Sequence, residues 1–262
     1  MSSAMSWAGG DFGAHATCVL APNANLMTLD GTNTWVLRDG ERSIVIDPGP
    51  PDPGHLATLR EVAGHVSAVL LTHHHFDHSE AAREFAASVG CGVRALDPAY
   101  RLGSEGLNEG DVVKVGDLEV HVVATPGHTA DSLSFLVPND RAVLTGDTVL
   151  GRGTTVVAHP DGQLGAYLDS LDRLHALAEK RDITTVWPGH GPVIEDALAV
   201  LDYYIAHRTE RLRQVGDALQ TLGPTATARA VVELVYADVS PILWGAAELS
   251  VHAQLAYLRG SD

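Results

Sequence analysis

Cysteine is scarce in this chain: Cys18 and Cys91 are the two among 262 residues. Two cysteines build neither a disulfide framework nor a cysteine-rich zinc site. One bridge is all they allow, and two free thiols are the simpler reading. Positive charge is short as well. Seventeen Lys+Arg face 33 Asp+Glu, a net −16 at pH 7. A surface of that sign does not grip duplex DNA, which needs clustered Lys and Arg, and it offers no polybasic membrane anchor. A locally basic groove stays open on this count. No apolar run reaches the roughly 18 residues of a membrane span. Met1–Gly13 has no Lys, no Arg and no apolar stretch, so it does not read as a secretory signal. These absences predict a soluble protein of the reducing cytoplasm.

What is present is an apolar fraction of 45%, enough for a packed core. There are also 14 histidines, a high number for this length and the first sign of metal chemistry. The first two-thirds of the chain alternate short β-branched runs with helical patterns. Strands are predicted at Thr34–Leu37, Ser43–Ile46, Ser67–Thr72, Val112–Val115, Leu118–Ala124, Ser132–Val137, Ala142–Leu144 and Thr184–Trp187. Helices are predicted at His55–Ala63, Ser79–Val89 and Gln163–Lys180. After Pro192 the strand pattern stops. Ile194–Leu219 reads as one long helix, followed by Ala226–Tyr236 and Glu248–Leu258. A boundary is placed at about residue 195, dividing a catalytic domain over 1–195 from a helical domain over 196–262.

The decisive stretch is Thr72-His73-His74-His75-Phe76-Asp77-His78-Ser79, between a predicted strand and a predicted helix. Its H-x-H-x-D-H spacing packs four metal-ligand side chains onto one loop. On an extended backbone, positions 73, 75 and 77 share a face and 78 points away, so one loop can feed two metals. Three more donors follow strands. His128 stands in Thr125-Pro126-Gly127-His128-Thr129, Asp147 in Thr145-Gly146-Asp147-Thr148, and His190 in Pro188-Gly189-His190-Gly191. Each comes after a glycine, which permits close backbone approach. His74 reads as an outward-facing neighbour. Histidines 15, 55, 65, 121, 159, 175, 207 and 252 read as solvated or structural. His159 stands out among them as a substrate-contact candidate, because it lies just after the Gly151–Thr155 loop. Trp35 and Trp187 read as core.

These four signatures, in this order over roughly residues 15–195, resemble the metallo-β-lactamase superfamily. The resemblance implies an α/β fold, an αββα sandwich, with a dinuclear site in the cleft between the sheets. It implies that His73, His75 and His128 hold one divalent ion. Asp77, His78 and His190 would hold a second, and Asp147 would bridge them. Asp47, in Ile46-Asp47-Pro48-Gly49, matches the position that supports the ligand loop from behind. Zinc is the default for such a donor set, with manganese or iron as alternatives. Two metals sharing a water lower its pKa from ~15.7 toward ~7, and the resulting hydroxide attacks a carbonyl carbon or a phosphorus. Asp77 would orient it or move its proton, and Asp147 would complete the catalytic pair.

Within the superfamily, the texture is similar to the beta-lactamase-like protein 2 branch. The matching stretches are Asn33-Thr34, Thr125–Thr129, Gly146–Thr155, Pro188–Ile194 and Tyr204–Arg208 with Arg211. That branch implies a small winged-helix-like C-terminal domain and, by its best-studied relative, metal-dependent cleavage of single-stranded RNA. Two features depart from it. The tail ends at Asp262 with little room for a β-wing, and residues 196–262 hold five arginines, no lysine and eight acidic residues. Arg208, Arg211 and Arg213 can line a substrate face of the long helix or lie solvated beside Glu210. The alternative is a thioesterase of the hydroxyacylglutathione-hydrolase type acting on a small ester or thioester. Against it, Gly191-Pro192-Val193 follows His190 where that family usually carries Glu-Tyr-Thr. A secreted β-lactamase needs an export signal, and a silent binding module would not need all seven ligand positions intact.

Overall fold

The computed structural model describes residues 7–260. Met1–Ser6, part of the leader reading, and Ser261–Asp262 lie outside them. One sheet has six strands in chain order: β1 (Gly10–Phe12), β2 (Ala16–Leu20), β3 (Asn33–Asp39), β4 (Arg42–Ile46), β5 (His65–Leu70) and β6 (Val93–Arg94). The other has five in the order β11-β10-β9-β8-β7. These are β7 (Val112–Val115), β8 (Leu118–Ala124), β9 (Leu133–Val137), β10 (Ala142–Gly146) and β11 (Thr185–Pro188). The helices are α1 (Pro53–Ala63), α2 (Phe76–Ser79), α3 (Ala82–Val89), α4 (Leu164–Arg181), α5 (Ala197–Leu222), α6 (Ala228–Val235) and α7 (Trp244–Leu258).

Period-two alternation builds the layers, because successive strand residues point to opposite faces. In β8, Leu118, Val120 and Val122 enter the core between the sheets, while Val123 turns outward to α4. In β3, Trp35 and Leu37 face inward, and Val36 packs against the layer that holds α1 and α3. Both faces of each sheet are therefore covered, which is the αββα arrangement. Trp35 and Trp187 stack across the sandwich with centroids 5.2 Å apart. Local signals set the helix ends. Asp52 accepts from His55 N at 2.8 Å ahead of Pro53, and Gly64 closes α1 in a positive-φ conformation.

The structure moves several predicted boundaries. The helix expected over 79–89 is two pieces. A single turn, α2, starts at Phe76 and is held by His78 N and Ser79 N, which both donate to His75 O. Asp77 and His78 thus sit on helical backbone, and strand alternation is not what separates them. The edge strands β1 and β6 have three and two residues, too short to leave a pattern.

Helix α5 serves two cores. Its first half, with Ala197, Leu201 and Tyr204, packs against α4, whereas Val215 and Ala218 pack with α6 and α7. Among the described residues no strand follows β11, so the C-terminal helices carry no wing. Among those same residues, no helix is long and apolar enough to cross a membrane.

The buried Tyr204 hydroxyl accepts from Leu150 N at 2.9 Å and donates to Gly153 O at 3.2 Å, tying α5 to the loop after β10. Tyr204→Phe strands a buried N–H, so it should cost about 1–3 kcal/mol. Urea denaturation of the two proteins measures this; an unchanged midpoint would show that the bond contributes nothing.

Candidate metal centre

Five strand ends deliver the site. Strands β4 and β5 are parallel, as are β10 and β11, and β8 and β10 are both antiparallel to β9. The C-terminal ends of β8, β10 and β11 therefore point the same way, and Asp47, His73, His128, Asp147 and His190 follow β4, β5, β8, β10 and β11. Close approach needs glycine: a Cβ on Gly189 would lie 2.5 Å from Asp147 Oδ1, and one on Gly146 would lie 2.7 Å from Thr72 Oγ1.

The structure brings all seven expected donors into one cluster. His75 Nδ1 lies 3.1 Å from His73 Nε2 and 3.1 Å from His128 Nε2. His190 Nε2 lies 3.2 Å from His78 Nε2 and 3.1 Å from Asp77 Oδ2. Asp147 reaches toward both sets: Oδ2 is 3.7 Å from His128 Nε2 and 3.4 Å from His190 Nε2, and Oδ1 is 3.4 Å from His78 Nε2. Two nitrogens on a tetrahedral ion at 2.0–2.1 Å stand roughly 3.3 Å apart, so these separations suit a shared cation. Asp147 Oδ1 is buried with no hydrogen-bond partner, which fits an oxygen meant for a cation.

The outer nitrogens are occupied. His78 Nδ1 donates to Asp47 Oδ2 at 2.9 Å, His128 Nδ1 to Val156 O at 2.7 Å, and His190 Nδ1 to Gly31 O at 3.1 Å. His73 Nδ1 donates to Thr72 Oγ1 at 2.9 Å, and that hydroxyl donates to Asp47 Oδ2 at 2.6 Å. Each bond occupies Nδ1 and turns Nε2 toward the cluster, where a metal would take the place of any proton it carries. Asp47 thus accepts from both Thr72 and His78 on the ligand loop. Thr72, Val156 and Gly31 were not legible from the sequence, since two of them act only through carbonyls.

Two electrostatic halves result. Burial, reinforced by neighbouring histidines, holds His73 well below the ordinary imidazole range, pushes His75 down to about 4 and lowers His128. In the other half burial is outweighed. Asp147 and Asp47 hold His78 well above its usual range, and Asp147 and Asp77 push His190 up to about 9. Against burial, His190 and His78 hold both Asp77 and Asp147 below the usual carboxylate range.

A cavity of about 740 Å³ opens over the cluster, with His75, Asp77, His128, Asp147 and His190 in its lining. The exposed apolar side chains of Leu26, Met27 and Phe76 line it, and Leu243 and Tyr236 line it from the helical segment. Of the expected substrate residues, Arg208 and Arg211 line this cavity. Arg213 is turned away and pairs with Glu210 and Asp217. His159 is half-buried and is not in the lining; its loop folds inward as Val157 enters the core beside α4. His74 donates from Nδ1 to Asp131 at 2.8 Å, outside the donor cluster.

Comparison with known proteins agrees with this geometry. The metallo-beta-lactamase superfamily profile matches residues 27–190. The chain is 32% identical to a beta-lactamase-like protein 2 homolog of Drosophila melanogaster, over 92% of this chain and 86% of that one. It is 33% identical to an atrochrysone carboxyl ACP thioesterase of Aspergillus fumigatus, over 78% of this chain and 64% of that one. A metallo-beta-lactamase family protein of Thermus thermophilus shares the fold with a TM-score of 0.78 at 20% identity, covering 94% and 93% of the two chains. The chain belongs to the metallo-beta-lactamase superfamily, a class of metal-dependent hydrolases, and its His/Asp cluster suits divalent metal.

Two measurements follow. In the metal-free chain Asp147, with Asp47 and Asp77, favours the protonated forms of His78 and His190, and an incoming cation would displace those protons. Zinc titration by calorimetry in buffers of different ionisation enthalpy should show release of about one to two protons per chain; none released would refute the assignment of those histidines. Asp47→Asn should weaken zinc about 10–100-fold in competition with a chromophoric chelator, and unchanged affinity would remove Asp47 from the site.

Proposed function

We propose that this chain hydrolyses an ester or thioester of an apolar acyl group at a two-cation centre. The observation that carries this is the apolar cavity wall of Leu26, Met27, Phe76 and Leu243 standing over a His/carboxylate cluster. His73, His75 and His128 would hold one cation; Asp77, His78 and His190 a second; and Asp147 would touch both. Bound there, two divalent ions supply a water of lowered pKa and positive charge for a developing oxyanion. Zinc suits these donors, with manganese or iron as alternatives.

The chain's own groups do the rest. The apolar rim seats the acyl chain and excludes water around it. Asp77, ionised and partly exposed at the floor, orients the attacking water and takes its proton. The water oxygen bonds to the carbonyl carbon, the carbon–sulfur or carbon–oxygen bond breaks, and the proton leaves on the thiolate or alkoxide. The thioesterase among the relatives supports this reading, although the chain spans 64% of its length. A second reading, cleavage of single-stranded RNA, is favoured by Arg152, Arg208 and Arg211 in the same cavity. The chain's acidity disfavours duplex DNA.

The test is a panel on zinc-loaded protein: S-hexanoyl-N-acetylcysteamine, S-lactoylglutathione, a single-stranded oligoribonucleotide and a β-lactam. The hexanoyl thioester should turn over fastest. Asp147→Ala or His75→Ala should lower that rate about 10³-fold or more while circular dichroism stays unchanged. Faster cleavage of the RNA would replace the ester reading with the nuclease one.

A further inference from the structure

Helix α5 carries a stripe of positions 197, 201, 204, 208, 211, 215 and 218, spaced alternately by four and three residues, so one face turns inward along its length. Ala197, Leu201, Tyr204, Val215 and Ala218 are buried there, as an inward face requires. Arg208 is the exception: an arginine in the middle of that face and 4% exposed. Arginine is almost never fully buried unless paired, because desolvating the charge is costly.

The partners of Arg208 leave its charge uncompensated. Nη2 donates to Thr155 O, and the guanidinium lies over the Tyr167 ring at 4.9 Å. Its Nε is buried with no hydrogen-bond partner, and the side chain lines the cavity above the metal cluster. One turn on, half-buried Arg211 lines the same cavity. It sits 4.5 Å over the Tyr236 ring and donates to Gln214 Oε1 at 3.0 Å and Val235 O at 3.2 Å. Arg152, Arg213 and Arg229 each pair with a carboxylate, but neither Arg208 nor Arg211 does so among the described residues. The cavity wall is electropositive at this point: after burial, these two guanidinium groups push the adjoining His207 imidazole below its ordinary value. The position is also close to the chemistry, since Thr155 Oγ1 lies 3.2 Å from His128 Nδ1.

We infer that Arg208 and Arg211 form an oxyanion subsite, taking a carboxylate or phosphate carried by the apolar substrate whose ester the centre cleaves. The inference rests on the ester reading for what is cleaved, but not for what is bound. It sharpens the substrate class to an amphiphile: an apolar chain against Leu26, Met27 and Phe76, and an anion on α5. The guanidinium fork suits both anions bidentately.

The test separates binding from turnover. Metal-free protein, dialysed clear of chelator, is titrated by calorimetry with hexanoate, hexyl phosphate and 1-hexanol. Hexanoate and hexyl phosphate should bind far better than hexanol, and the tighter of the two identifies the anion. Arg208→Gln and Arg211→Gln should each weaken the anions about 10–100-fold, the range of a charged hydrogen bond, and leave hexanol unchanged. If Arg208→Gln fails to fold, as read by circular dichroism, the half-buried Arg211→Gln carries the test alone. Equal anion binding by wild type and Arg211→Gln, or no binding at all, would overturn the subsite.

In parallel, zinc-loaded protein is assayed on mono-4-nitrophenyl adipate and 4-nitrophenyl hexanoate. The anionic ester alone should lose kcat/KM in the variants, by about 10–100-fold. Anion binding with no turnover of either ester keeps the subsite and sinks the ester reading. Turnover of both esters with equal dependence on Arg211 keeps the ester reading and sinks the subsite.

Discussion

The carboxylate of Asp47 holds the ligand loop in place. It leaves the end of β4 in a left-handed conformation, φ +51°, which places its side chain beneath the loop after β5. There Oδ1 accepts from Thr72 N at 2.8 Å, and Oδ2 accepts from the Thr72 hydroxyl and His78 Nδ1. Left-handed backbone costs a non-glycine residue about 1–2 kcal/mol. That cost is offset by three hydrogen bonds to one charged group, each stronger than a neutral bond. Through Thr72 the same carboxylate orients His73, and through His78 it reaches the other half of the cluster. The two sets of donors are therefore not independent. One member of each, His73 and His78, is oriented by a single group on a neighbouring strand.

The opposite wall is held by packing and carbonyls. The Trp35–Trp187 stack lies between the sheets, and Trp35 Nε1 donates to Pro188 O at 3.1 Å. Asn33 donates to Pro188 O and Gly191 O, on either side of His190. The loop that carries His190 is thus fixed by residues of β3, in the other sheet. A sandwich built this way needs its core intact for its metal site to have a shape. The site's geometry and the fold's stability rest on many of the same contacts.

His73, His75, Asp77 and His78 are legible in the sequence from their spacing within one run. His128, Asp147 and His190 are legible because each is a donor side chain just after a strand, and strand ends are read from periodicity and glycine. The layers are legible for the same reason: Val36 and Val123 belong to apolar runs whose two faces both need cover. Other features leave no such trace. The turn α2 depends on His75 O accepting two bonds, a backbone event without periodicity. The carbonyls of Gly31 and Val156 orient His190 and His128 through atoms every residue has. The stripe on α5 can be counted from residue numbers, yet counting does not show that Arg208 goes in while Arg213, five residues on, goes out to Glu210 and Asp217. His159, chosen for its nearness in sequence to the Gly151–Thr155 loop, lies outside the cavity because Val157 pulls that segment into the core.

A net charge of −16 describes the surface and not the cavity. Electrostatic interactions between exposed charges fade over about 10 Å in 0.1 M salt, whereas buried charges are screened far less. Arg208 and Arg211 therefore set the potential of the wall they line, and any bound cations would set that of the floor. An acidic exterior with a cationic pocket repels polyanions that approach as extended surfaces. A single carboxylate or phosphate on a short apolar chain, the substrate proposed above, would escape that penalty by exchanging its hydration for the pocket while the rest of the molecule buried apolar area. On the proposed reading the acidity would count against nucleic acid more heavily than against a small anionic ester, and the outer charge and the inner arginines would act together as a filter on substrate size.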